Sequence, residues 1–226
     1  MIPIERLEVI PLSVQGQAQD DLDGTVDTVI VKVFDRDGRY GFGETDAPPG
    51  VVEAFLTMPT AHGWSRNLAE VLVGSDPVET ASLWHRMYEA TFWPGRRGLG
   101  IHAIGAVDIA LHDLAGKQLG LPAYKLMGGA RRRSLKPYCT IFPGLPAGRT
   151  IRELMAEIER QFDCALQAGF RAVKMEVLFY DLVGDRELVD LIRDGRRMLG
   201  PDVLMAVDFG YRWHNWLDAR RVLDRI

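Results

Sequence analysis

Residues Ala103 to Gly129 read AIGAVDIALHDLAGKQLGLPAYKLMGG. Ile104, Val107, Ile109, Ala110, Leu111 and Leu114 recur at helical spacing and predict a broad apolar face on a helix over Ile101 to Gln118. Gly120 and Pro122 stop it, since glycine takes a left-handed cap and proline cannot continue the ladder. Ala123 to Leu126 adds one turn before Gly128-Gly129. Asp113 and Lys117 stand at i and i+4, with Asp108 on the same helix. That spacing is ordinary helix support, so these charges read as scaffold.

Upstream the pattern is β. Ile4 to Leu12 reads as a strand, and Thr28 to Asp35 (TVIVKVFD) pairs with Tyr40 to Thr45 across an Asp37-Gly38 turn. Val14 to Asp27 is an acidic loop carrying Asp20, Asp21, Asp23 and Asp27. The first 45 residues therefore predict a three-stranded antiparallel sheet. A short helix begins over Val52 to Phe55 and another covers Arg66 to Leu72; Pro77 opens a third over Val78 to Thr91.

Downstream the rhythm changes to alternating strands and helices. Leu135 to Ile141 is a strand, and Thr150 to Ala168 is a helix with a Thr150/Glu153 capping box, ended by Gly169. Arg171 to Val177 is a strand, Asp185 to Leu199 a helix closed by Gly200, Val203 to Val207 a strand, and Leu217 to Ile226 a helix. Units of about 30 residues in this order predict parallel strands with crossover helices. The expected fold is an α+β domain over residues 1–130, then about three βα units of a (β/α) barrel over 131–226. A complete barrel needs about 200 residues or more.

Composition excludes several classes. A net charge of −4 with no long basic run argues against nucleic-acid binding. The Arg131-Arg132-Arg133 triplet beside two glycines reads as a solvated connection. No run approaches 18 consecutive apolar residues, the opening MIPIERLEVIPL lacks a signal-peptide core, and Cys139 and Cys164 make no disulfide framework. The expectation is a cytoplasmic protein with no membrane partner.

Chemistry in βα units gathers at the C-terminal ends of strands. Lys174 and Glu176 alternate with Met175, so period two puts both on one strand face. They read either as functional charges or as a structural ion pair. Asp208 directly follows the apolar run Val203 to Val207. A carboxylate there suits a hard cation such as Mg²⁺, and equally suits a helix N-cap or a turn.

The 27-residue stretch resembles, almost position by position, the helix-and-turn signature of the mandelate racemase and muconate lactonizing enzyme family of the enolase superfamily. Gly41-Phe42-Gly43-Glu44, Asp76-Pro77 with Trp84, Gly169 to Lys174, and Leu204 to Asp208 are similar to further family segments. The resemblance implies an N-terminal capping domain followed by a TIM-type barrel, and a Mg²⁺-dependent removal of a proton α to a carboxylate. It places Asp208 as the first metal ligand. Lys174 matches the first lysine of a Lys-x-Lys motif, which contacts the substrate carboxylate. Glu176 replaces the second, the acid/base, so either Glu176 takes that role or the base lies beyond this chain. Gly210 stands where many members carry Asn. In some sugar-acid dehydratases of the family a His near the metal Asp is the general acid, which makes His214 a candidate; Trp213 and Trp216 read as packing. Two capping-domain loops, Val14 to Asp27 and Asp46 to Trp64, would set specificity.

The implied substrate is a small carboxylate such as a sugar acid. Dehydration is favoured over racemisation, epimerisation or cycloisomerisation. The family's further metal ligands fall on later strands, which are not in this sequence. A three-stranded parallel sheet covered on one side also leaves an apolar face and an open edge. The expectation is therefore an incomplete chain or one half of a split enzyme, homo-oligomeric when complete, with a non-catalytic fragment as the alternative.

Overall fold

The computed structural model describes residues 1–13, 27–146, 148–179 and 182–226. The acidic loop expected over Val14 to Asp27 lies outside them, apart from Asp27 itself. Two compact units separate between Arg133 and Ser134, and Arg131, Arg132 and Arg133 are exposed there.

In the first unit, β1 (Ile4–Ser13), β2 (Asp27–Asp35) and β3 (Tyr40–Thr45) form an antiparallel sheet in the order β1-β2-β3. Val29, Val31 and Val33 alternate inward and are fully buried. Buried Asp35 organises the hairpin turn: its Oδ1 accepts the backbone N–H groups of Asp37 and Arg39, at 3.0 and 2.9 Å. Its Oδ2 accepts from the Gln118 amide at 2.9 Å. Gly38 supplies the positive φ, +79°, that the turn needs.

Five helices follow: α1 (Pro49–Thr57), α2 (Leu68–Leu72), α3 (Thr80–Ala90), α4 (Leu99–Leu119) and α5 (Ala123–Leu126). Helix α1 is the short helix expected from Val52 to Phe55; it starts earlier, at Pro49, inside the Asp46 to Trp64 segment, and buries Val52, Phe55 and Leu56. Helix α2 starts later than expected, after Asn67 accepts the Glu70 N–H as its cap. Pro77 does not open α3. Asp76 accepts the Val78 N–H at 3.0 Å, which makes a turn, and the helix begins at Thr80.

Helix α4 is long and apolar enough to cross a membrane by length and composition alone. Here it is the core helix, burying Ile104, Val107, Ala110, Leu111 and Leu114. Ile109 departs from the expected face and is 54% exposed, because the buried stripe runs through the small residues Ala103, Ala106 and Ala110 instead.

That stripe follows from how closely α4 approaches β3. A Cβ on Gly43 would sit 2.0 Å from the Ala106 carbonyl oxygen, and one on Gly41 2.1 Å from that of Ala110. The glycines let backbone meet backbone. Asp113 then accepts the Phe42 N–H at 3.1 Å, and Lys117 donates to the Tyr40 carbonyl at 2.8 Å and to Asp113 at 2.7 Å. The scaffold pair read from the sequence satisfies polar groups of the edge strand β3.

In the second unit, β4 (Cys139–Ile141), β5 (Ala172–Glu176) and β6 (Leu204–Asp208) form a parallel sheet in that order. Helices α6 (Ile151–Gln167), α7 (Asp185–Leu199) and α8 (Trp216–Leu223) alternate with the strands. Strand β4 is shorter than Leu135 to Ile141, with Leu135 82% exposed and no strand before Cys139. Thr150 and Glu153 form the expected capping box on α6. Val173 and Met175 face the helix layer, where a Cβ on Gly195 of α7 would come within 3.0 Å of the Met175 sulfur. The opposite sheet face carries Thr140, Lys174 and Ala206, paired in register.

Gly43→Ala should destabilise the first unit by about 3 kcal/mol or more, because the new methyl group meets a helix backbone that cannot yield. Urea denaturation followed by circular dichroism measures this; a loss below about 0.5 kcal/mol would show that α4 does not sit on β3 as described.

Candidate active site

Strands β5 and β6 run side by side and end together, with Glu176 opposite Asp208. Period two turns Lys174, Glu176 and Asp208 to the face away from the helices. The Lys174 ammonium reaches both carboxylates: Nζ lies 2.8 Å from Glu176 Oε1 and donates to Asp208 Oδ2 at 3.0 Å. The Glu176 side chain is 6% exposed and that of Lys174 25%. The sequence singled out these three residues, and the structure brings all three together.

The contacts decide what Lys174 can do. Hydrogen bonds to Glu176 first, and to Asp208 second, raise its pKa above the ordinary lysine value. The ammonium is therefore a fixed cation at physiological pH, unsuited to accepting a proton. Asp208 is held below the usual aspartate range, chiefly by the Gly210 N–H and then by Lys174. Gly210 donates to Oδ1 at 2.9 Å with φ +56°, so it makes a tight turn under the carboxylate.

This turn is clasped from a direction that sequence reading missed. The Arg212 side chain, 8% exposed, donates from Nε to Asp185 Oδ1 at 2.9 Å and from Nη2 to the Val183 carbonyl at 2.7 Å. The Trp213 indole N–H also reaches Asp185, at 3.3 Å, and its ring packs 4.8 Å from that of Phe209. The loop after Asp208 is thus fastened to the first residue of α7. The pair lies 27 positions apart in the chain, and no local pattern announces it.

His214 is exposed on the same loop and makes no hydrogen bond or ion pair with Lys174, Glu176 or Asp208. Trp213 packs as expected. Trp216 does not: it is 65% exposed at the start of α8.

The donors present suit Mg²⁺ in kind, being hard carboxylate oxygens. They do not suit it in number. Among the described residues no three His, Cys, Asp or Glu side chains gather into a group that could hold a metal. Lys174 already engages one oxygen of each carboxylate. Asp208 can serve as one ligand, and the described residues do not complete an octahedral shell.

Residues 21–128 match the family model for the mandelate racemase / muconate lactonizing enzyme N-terminal domain. Over 216 residues, 94% of this chain and 55% of the relative, the sequence is 30% identical to the 3,6-anhydro-alpha-L-galactonate cycloisomerase of Streptomyces coelicolor. It is 32% identical to the L-rhamnonate dehydratase of Saccharopolyspora erythraea over 80% of this chain and 40% of that one. Among solved structures, a racemase from Streptomyces coelicolor with bound magnesium superposes with TM-score 0.74 and 28% identity, covering 98% of this chain and 59% of that chain. The chain spans about half the length of the curated relatives it matches.

Lys174→Met should cost about 2 kcal/mol near neutral pH. The cost is below that of breaking a fully buried pair because Lys174 is partly exposed. The sign follows from the shifts. Stability from lowered Asp208 is present above about pH 4 and lost as pH falls through its folded value; that from raised Lys174 is present below about pH 10 and lost above. Urea melts across pH should show the deficit at mid-pH and its shrinkage in acid. A deficit that does not change with pH would contradict the pairing.

Proposed function

The chain belongs to the mandelate racemase and muconate lactonizing enzyme family of the enolase superfamily, and from that premise we propose that it carries part of the active site of a lyase that removes the proton α to the carboxylate of a sugar acid. The single observation that carries this reading is the Lys174 ammonium held between Glu176 and Asp208 at neighbouring strand ends. These strands are the opening βα units of a barrel, the place where such folds put their chemistry.

Each residue has a role set by its surroundings. A lysine ammonium has three donors. Glu176 and Asp208 engage two of them, and the third is left for a substrate carboxylate. Lys174 therefore binds and orients the anion without exchanging a proton. The three side chains alone sum to one negative charge, which disfavours an anionic substrate. Asp208 would hold one position of a divalent cation completed by ligands from elsewhere, and such a cation would reverse that sign and supply electrostatic stabilisation to developing negative charge. Glu176 is buried with Lys174 across it, so it serves as the counter-charge that fixes the ammonium. The base then comes from a residue outside this chain. His214, exposed and apart from the cluster, is assigned as a general acid only if its loop closes on the substrate.

The named relatives include sugar-acid dehydratases and sugar-acid cycloisomerases. Dehydration, opening with the α-proton removal proposed above, is the reading we favour. The decisive experiment joins or co-expresses this chain with the strands that its relatives carry beyond the matched span. Sugar acids are then assayed for Mg²⁺-dependent exchange of the α-proton in D₂O and for loss of water. Asp208→Asn should lower exchange by about a hundredfold or more, and Lys174→Met should lower kcat/KM by a similar factor. Exchange that survives both substitutions would overturn the proposal.

A further inference from the structure

The two cysteines of the chain have no part in the site above, yet both open on one cavity of about 310 Å³ between β4 and α6. Cys139 is the first residue of β4, is half-buried, and shares the helix-facing side of that strand with Ile141. Cys164 is exposed on the last turn of α6. Both residues belong to the wall that β4 and α6 give this cavity. Helix α6 returns antiparallel to β4, since β4 and β5 are parallel and α6 connects them. Gln161 donates to the Phe142 carbonyl at 2.8 Å, which pins the helix beside the strand's C-terminal end. One turn further on, the helix heads back toward Cys139. There Arg160 Nη1 lies 3.9 Å from the Cys164 sulfur at the cavity wall.

We propose that Cys139 and Cys164 are a reversible redox pair that clamps α6 onto β4 when oxidised by a peroxide. Hydrogen peroxide takes the exposed Cys164 thiol to a sulfenic acid and is itself reduced to water. The Cys139 sulfur then attacks that sulfur, the S–O bond breaks, a second water leaves, and the S–S bond forms. Two thiols and one peroxide give one disulfide and two waters, and a dithiol reductant reverses the change. Such bonds in reducing compartments are transient and redox-sensing, and Cα atoms must come within about 7 Å to form one.

The test uses the 226-residue chain, reduced and then titrated with hydrogen peroxide, with intact-mass measurement and peptide mapping of the monomeric fraction. The expected result is loss of two hydrogens' mass and a Cys139–Cys164 cross-linked peptide, both reversed by dithiothreitol. The melting temperature should rise by about 5 °C. Cys139→Ser should stop at a Cys164 sulfenic acid that dimedone traps. The proposal is overturned if mapping of the unsubstituted chain finds both thiols still alkylatable after peroxide. It is equally overturned by oxidation of Cys164 alone, or by disulfides formed only between chains.

Discussion

One ammonium group shared by two carboxylates fixes the chemistry available at the ends of β5 and β6. Lys174 is a quarter exposed, and the hydration its ammonium gives up on this sheet face is offset by counter-charge. Glu176 and Asp208 supply that charge, and their contacts hold the lysine protonated. The arrangement trades proton-transfer ability for a permanent positive charge. That trade suits Lys174 to the anion-binding role proposed for it, with Glu176 as its counter-charge.

The first unit uses the same kind of pair for a different end. Asp113 and Lys117 also lie within hydrogen-bond distance, but both turn to the backbone of β3. There the pair closes an edge strand that would otherwise present free N–H and C=O groups. What locates α4 is the pair of glycines on β3, where helix backbone takes the space of two side chains. Two Lys–carboxylate pairs of similar length thus do separate work, and their neighbours decide which.

Much of this was readable in the residues because the signals were local. The capping box at Thr150, the Asp37-Gly38 turn and the alternation of Lys174 with Glu176 each act within a few positions, and each appears in the structure. Where reading failed, a competing contact had won. Asp76 accepts the Val78 N–H and delays α3, although Pro77 by itself suits a helix start. Ile109 fits helical periodicity but stays half exposed, because it flanks Gly43 on the edge strand β3 rather than entering the core. The clasp of Arg212 on Asp185 joins the loop after β6 to the start of α7 through the tertiary fold, and neither residue looks unusual in its own segment. Asp208 stood out as a carboxylate after an apolar run, but its pairing with Lys174 needed the parallel register of β5 and β6.

The central claim is that Lys174 and Asp208 meet at the strand ends and that their charges depend on one another. Carboxyl ¹³C NMR of Asp208, titrated with pH in the unsubstituted chain and in Lys174→Met, tests it most directly. Asp208 should titrate below the ordinary aspartate value of about 3.9, and removing the ammonium should move it upward while the Gly210 contact keeps part of the shift. An Asp208 that titrates at the ordinary value in both proteins would place the two groups apart and remove the basis for the site.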